Sequence, residues 1–223
     1  MNKQLKENGM NMKLWISTGL ALGLTAGAAF PSMAADLGSS AAWYLGLSGG
    51  ESKSRADSSD INTALSNNGL VPLGSSLDNK DTGWKLYLGH QVNPNFAVEL
   101  GYLDLGKFSF SSSTAGGSLS GDLKTKSGGY IDAVGIMPLS NNFSIFGKLG
   151  VYTIKTELSG SGAGGSVSAS HRANDWTYGI GAGYDFSRNF GVRVEWERFN
   201  NVGNDSTSHK DVDLASLGVV VKF

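Results

Sequence analysis

The chain has 223 residues, no Cys, 32 Gly and 4 Pro, with 40% hydrophobic and 17% charged residues and a formal net charge of −1. It is too apolar and too weakly charged for a disordered chain, and its length suits one domain. Without Cys there is no disulfide framework and no thiolate metal site, and no basic patch along the sequence points to nucleic acid.

The first element is a processing signal. Lys3, Lys6 and Lys13 form a basic lead-in, an apolar run follows over 14–30, and Ser32-Met33-Ala34 supplies small residues for a peptidase. This pattern predicts a cleaved helical signal peptide over 1–34 rather than a permanent helix, and a mature domain over 35–223. Met10 and Met12 are alternative starts.

Eight segments of alternating hydrophobicity follow, at 41–50, 82–92, 96–108, 126–137, 143–157, 175–186, 190–199 and 212–223. A period of two is the signature of strands, and segments of about ten residues suit strands that cross a membrane. The connections alternate in length. Asn93-Pro94-Asn95, the stretch from Pro138 to Asn142 and that from Phe186 to Asn189 are tight and carry turn residues. Between them lie long polar loops at 51–81, 109–125, 158–174 and 200–211. Short turns at one end and long loops at the other predict an all-β fold, an eight-stranded antiparallel up-and-down transmembrane β-barrel. Both mature termini should then lie on the short-turn, periplasmic side. The last strand, ending on Phe223, should close against the first near Trp43.

The two faces of the segments differ. Trp84, Leu86 and Leu88 oppose Lys85, Tyr87 and Gly89; Val192, Val194 and Trp196 oppose Arg193, Glu195 and Glu197. Eight strands enclose a space just wide enough for side chains to fill. Bulky Trp and Leu around the whole circumference would overfill it, whereas Gly leaves room for Lys, Arg and Tyr. The apolar face should meet lipid and the polar face should fill the lumen. Lys85, Glu99, Asp132, Lys148, Asp185, Arg193, Glu195, Glu197 and Lys222 share the inward parity. Glu99, Arg193, Lys148, Lys85, Asp132 and Glu195 are the expected core of a lumen ion network, because a buried charge needs a partner. Trp84 and Trp176 at the loop end, and Trp43, Tyr184 and Phe223 at the turn end, are expected to form aromatic girdles.

These motifs also carry a family resemblance. Gly89-His90-Gln91-Val92-Asn93-Pro94, Glu99-Leu100-Gly101-Tyr102, Asp132-Ala133 before Pro138 and the stretch from Ile145 to Gly150 resemble the transmembrane domain of the OmpA family. So do Arg193-Val194-Glu195-Trp196, Asn200-Asn201-Val202-Gly203 and Ser216-Leu217-Gly218-Val219. The resemblance runs in order through the mature chain. It implies a barrel in the outer membrane of a Gram-negative bacterium, with the long loops extracellular and with outer-membrane lipid and lipopolysaccharide as surroundings. Glu99 and Arg193 match one family ion pair, and Lys148 matches a nearby basic residue. Val134 and Gly183 stand where the alternative pair would be, which argues against gating by exchange of partners. The peptidoglycan-binding domain of many members is not in this sequence, so wall anchoring is not expected. The alternation Leu217, Val219, Val221, Phe223 resembles the signal read by the barrel assembly machinery.

Little points to catalysis. His90, His171 and His209 are scattered and make no metal site. His209 has Ser208 and Asp211 beside it, a pattern more common in solvated turns than in a nucleophile with its base. The Gly-rich stretch 159–166 lacks the ending of a phosphate loop. No catalytic residue, metal or cofactor is expected. The reading is a non-enzymatic envelope barrel whose loops meet outside surfaces and whose lumen could pass small ions. A lipid-modifying outer-membrane enzyme and a secreted, soluble ligand-binding barrel are the alternatives.

Overall fold

The structure, a computed structural model, describes residues 42–67, 69, 71–114, 117–162, 165–202 and 210–223. The expected signal peptide, along with Ser208 and His209, lies outside the described residues. The described chain folds in the order β1 (Ala42–Ser54), α1 (Ser58–Asn67), β2 (Pro72–Asp78), β3 (Lys80–Asn93), β4 (Phe96–Asp104), β5 (Lys107–Thr114), β6 (Gly117–Pro138), β7 (Phe143–Gly162), β8 (Gly165–Asp185), β9 (Phe190–Val202) and β10 (Lys210–Lys222). The sheet order is β2-β5-β6-β4-β3-β1-β10-β9-β8-β7, and β7 returns to pair with β6. Setting aside β2 and β5, eight antiparallel strands close on themselves. The seam lies where the sequence places it: the Trp43 and Phe223 backbones exchange hydrogen bonds at 3.2 and 2.9 Å.

The long-loop end differs from expectation. Strands β6, β7 and β8 run far past the predicted segments, so that 109–125 and 158–174 are largely hairpins. The first loop contains α1 and β2. The third predicted strand stops at Asp104, and Gly106, with a φ of +83°, takes the chain out of the ladder before β5 begins. Strand β5 then pairs with the far half of β6, while β4 pairs with the near half. Serines of the expected long polar loops instead join strands: Ser76 bonds Ser111 at 2.8 Å and Ser120 bonds Ser161 at 3.2 Å. Helix α1 starts at a reciprocal cap. The Asp57 carboxylate accepts the Ser59 amide at 2.8 Å, and the Asp57 amide donates to Asp60 at 2.9 Å. The bonds from Ser59 and Asp60 hold the Asp57 carboxyl below its ordinary range.

The short-turn end is stitched by a repeated device. Asn95, Asn142 and Asn189 each precede a Phe that opens a strand. Their side-chain amides donate to the carbonyls of Ile136, Asp185 and Lys222 at 3.1, 2.7 and 2.9 Å. Their own carbonyls accept the amides of the same three residues at 2.8 Å each. Each turn thereby clamps the next hairpin and satisfies backbone groups at the rim.

Candidate functional site: the filled lumen and the apolar outer face

Alternation along each strand decides what fills the barrel. Inward glycines accept tyrosine rings from the neighbouring strand: Tyr87 lies over Gly46, Tyr44 over Gly89 and Tyr130 over Gly101. Aromatic cover of strand glycines pins the register, and here it also narrows the lumen.

The charges occupy the remaining space. Lys148 donates from Nζ to Glu99 at 2.6 Å and to Glu195 at 3.1 Å. Arg193 Nη1 donates to the other Glu99 oxygen at 2.7 Å, and the Tyr44 hydroxyl joins it there at 2.7 Å. Lys85 donates to Glu195 at 2.6 Å and also to Glu197. The Arg193 guanidinium lies 4.7 Å from the Tyr44 ring and 5.1 Å from the Phe146 ring, close enough for cation–π attraction. Nearer the turn end, Lys222 pairs with Asp185 at 2.6 Å.

The structure thus brings together Glu99, Arg193, Lys148, Lys85 and Glu195. It does not bring Asp132 into the pairing. Asp132 points inward and is fully buried, but neither carboxyl oxygen has a protein hydrogen bond. Its place is taken by Glu197. Tyr44 was missed as a member, although its alternation opposite inward Gly89 carried the signal. Val134 is buried in the lumen wall and Gly183 lies beside the Arg193 side chain, so neither offers Arg193 a second carboxylate.

The polar filling does not continue to the long-loop end. There the interior is mainly apolar: Leu103, Leu105, Phe108, Ile154, Phe199, Val212 and Leu214 are all at most 3% exposed, and the polar side chains buried among them are the small, uncharged Ser52, Thr125 and Thr177 and the amide of Asn200. Tyr152 packs edge-on to Phe199, and its hydroxyl donates to the Asn200 carbonyl. This corrects the expectation of a polar lumen throughout. Val212 and Leu214 have inward parity on β10, but a strand that is apolar on both faces loses its alternation and hides which side is in.

Outside, Leu45, Leu47, Leu86, Leu88, Leu100, Ile131, Leu149, Val151, Leu217 and Val219 are all solvent-accessible. Trp84 packs on Tyr102 at 5.8 Å and Trp176 stacks on Tyr178 at 5.2 Å toward the long-loop end. Trp43 meets His90 at 4.5 Å and Tyr184 meets Phe186 at 5.3 Å at the turn end. Val221 and Phe223 continue the outward row on β10. His171 lies at the opposite end of the barrel from His90, and Asp211 accepts the Asn201 amide at 3.3 Å.

An apolar girth around a closed barrel whose charges gather inside is the reverse of a water-soluble barrel, and it defines a transmembrane β-barrel. The chain belongs to the OmpA-like transmembrane domain family, whose model matches residues 39–223. Outer membrane protein A of Klebsiella pneumoniae is 26% identical over 187 residues, covering 81% of this chain and 51% of that protein. That of Shigella flexneri is 25% identical over 158 residues, covering 70% and 44%. The chain therefore spans about half the length of the curated relatives it matches. Among solved structures, Ail, the attachment invasion locus protein of Yersinia pestis, aligns over 82% of this chain and 97% of its own, at 17% identity and a TM-score of 0.48. The chain is an outer-membrane β-barrel protein of the Gram-negative envelope, and the secreted, soluble reading is set aside.

Proposed function

We propose that this protein is a closed, non-enzymatic structural barrel of the outer membrane. Its extended β5–β6 and β7–β8 hairpins face outward from the cell and both ends of the barrel domain face the periplasm. The observation that carries the closed reading is the apolar plug around Leu214, Leu103 and Phe199 above the Lys85–Glu195–Lys148–Glu99 network. An ion entering the polar section would meet a layer of buried, mainly apolar side chains, and a bare charge crosses such a layer only at high cost. The pore once open to the sequence reading therefore yields to a scaffold role, with surface contacts made by the outer hairpins. The same outward row that ends on Phe223 suits recognition of β10 by the barrel assembly machinery.

Two measurements test this. Refolded protein in planar bilayers is expected to give no stepwise conductance; reproducible channel events would overturn the closed reading. Because the chain has no Cys, a single Ser168→Cys substitution at the exposed β8 end supports labelling of intact cells. Labelling by an impermeant maleimide is expected, and protection until the outer membrane is broken would reverse the orientation. A lipid acyl-release assay on the refolded chain is expected to be silent; turnover would restore the enzyme alternative.

A further inference from the structure

The extended hairpins carry a second ordered surface, apart from the lumen and the apolar girth. On the outward parity of five neighbouring strands the register lines up two complete rows. Ser76, Ser111, Ser120, Ser161 and Ser166 stand opposite one another from β2 to β8. One step nearer the barrel come Asp78, Ser109, Asp122, Ser159 and Ser168. Cross-strand neighbours lie about 4.8 Å apart and successive rows about 7 Å apart, so short side chains form a lattice of hydroxyls with two carboxylates among them. All of them are exposed or half-buried. The lattice is concave: its side chains line an open trough of about 590 Å³, within the range of roughly 300–1,000 Å³ of small-ligand sites.

The lining selects the ligand. The Phe110 ring turns to the opposite face, over Gly121, so the rows offer no apolar anchor for an acyl chain or a peptide. Strands β5, β6 and β7 are each flanked on both sides, so the centre of the trough has no free backbone edge for a peptide to extend. Asp78 and Asp122 stand two strands apart, about 10 Å, too far to share one metal ion. The Ser109 hydroxyl and the Lys107 charge hold the Asp122 carboxyl below its ordinary range. A phosphate or sulfate would therefore meet two carboxylates and, in Lys107, a cation already 3.5 Å from Asp122. Within the Ser76–Ser111 and Ser120–Ser161 pairs only one hydroxyl hydrogen is used, which leaves one donor and several lone pairs per pair turned outward. Uncharged, hydroxyl-rich molecules match this surface. From Val151, near the top of the apolar girth, to Ser159 is eight residues, roughly 26 Å along a strand and about 20 Å of height at the tilt of such barrels. That is beyond the head-group layer, which is about 5–7 Å thick on each side.

We propose that this Ser/Asp trough binds neutral saccharide chains carried by another surface. Sugar hydroxyls exchange hydrogen bonds with the serine rows, and Asp78 and Asp122 accept from them. This gives the outer hairpins a class of partner and rests on the outward orientation proposed above. Bonds to the two carboxylates are charge-assisted and roughly twice as strong as those to the serines, so they carry the largest share of the affinity. Each bond replaces one to water and is worth little by itself. One trough therefore binds weakly, and firm attachment comes from many barrels engaging one glycan-bearing surface together.

The test reconstitutes refolded wild type and an Asp78→Ala/Asp122→Ala variant into fluorescent phosphatidylcholine vesicles. Neither carboxylate is buried, so the variant should fold, which its heat-modifiable gel mobility verifies. The vesicles are passed over beads bearing mannan, dextran or galactan. Wild-type vesicles are expected to be retained on at least one of the three, at least fivefold above protein-free vesicles. The matching free oligosaccharide should release them, and a chelator should not. The variant should lose most of this retention. Failure to bind any of the three polysaccharides overturns the proposal, and so does retention that the variant keeps. Retention shown only by heparin beads, or released only by lipopolysaccharide core oligosaccharide, overturns it as well, by assigning the surface to sulfated chains or to the cell's own leaflet. None of these results bears on which way the hairpins point in cells, which maleimide labelling decides separately.

Discussion

Asp132 stands directly across the β4–β6 pairing from Glu99, and only Glu99 is neutralised. Glu99 receives Arg193, Lys148 and Tyr44, whereas both Asp132 oxygens are buried with no protein donor. Among the described residues, the buried carboxylates Glu99, Asp132, Glu195 and Glu197 share the lumen with three buried or part-buried cations, Lys85, Lys148 and Arg193. A buried charge without a partner is a large cost to the folded state. Asp132→Asn keeps the shape and removes the charge, so its urea midpoint in lipid is expected to equal or exceed that of the wild type. A drop larger than about 1 kcal/mol, the net worth of one ordinary hydrogen bond, would show that Asp132 does hold a partner.

Arg193→Ala acts in the opposite direction. It strips one of two cations from Glu99 and the guanidinium from between Tyr44 and Phe146. Breaking a buried pair by removing one partner costs about 3–5 kcal/mol, and a loss near the lower figure is expected because Lys148 stays on Glu99. An unchanged unfolding midpoint in detergent or lipid would count against a structural role for the pair.

Gly89→Ala tests the packing of rings over glycines. A Cβ at Gly89 overlaps the Tyr44 ring, and Tyr44 cannot swing aside without leaving Glu99. Overpacking of this kind costs about 1–3 kcal/mol, with the lost hydrogen bond added. The Tyr44→Ala/Gly89→Ala pair should recover the steric part only, so the double-mutant cycle is expected to show strong non-additivity.

Leu214→Ala opens the apolar plug. Leu214 is fully buried opposite Glu197, and truncating a buried leucine costs about 2–5 kcal/mol. Stability in lipid should fall by that order while bilayer conductance stays absent, because Leu103, Phe199 and Val212 still fill the section. A conducting Leu214→Ala barrel would identify this side chain as the seal.

Deleting Phe223 removes the outward terminal ring and the residue that pairs with Trp43 at the seam. The loss of packing alone predicts a modest change in refolded stability. If β10 also serves as the assembly signal, surface levels in cells should fall far more than the in vitro midpoint. Normal surface levels of the truncated chain would leave only the packing role.

The sequence was most legible where membrane and lumen impose opposite demands on alternate residues. Along 82–92 and 190–199 the contrast between apolar and charged faces separates outside from inside, and turn residues mark one end of the barrel. It was least legible in 109–125 and 158–174. Water lies on the outer side there, so serine and glycine carry no alternation and the strands exist because neighbours supply their hydrogen bonds.

Alternation alone determined that this chain forms a barrel, that Leu and Trp face outward, and that Lys85, Glu99, Lys148, Arg193 and Glu195 face inward. Inward parity does not say which charges touch, because partners come from strands far apart in the chain and their distance depends on register and stagger. Only the closed structure decided that Glu197 and Tyr44 join the network while Asp132 stands apart. The same register sets Lys155 beside Arg172 and Lys107 beside Lys124. A cross-strand neighbour lies about 5 Å away whatever its distance along the chain, and that separation has no trace in the linear sequence.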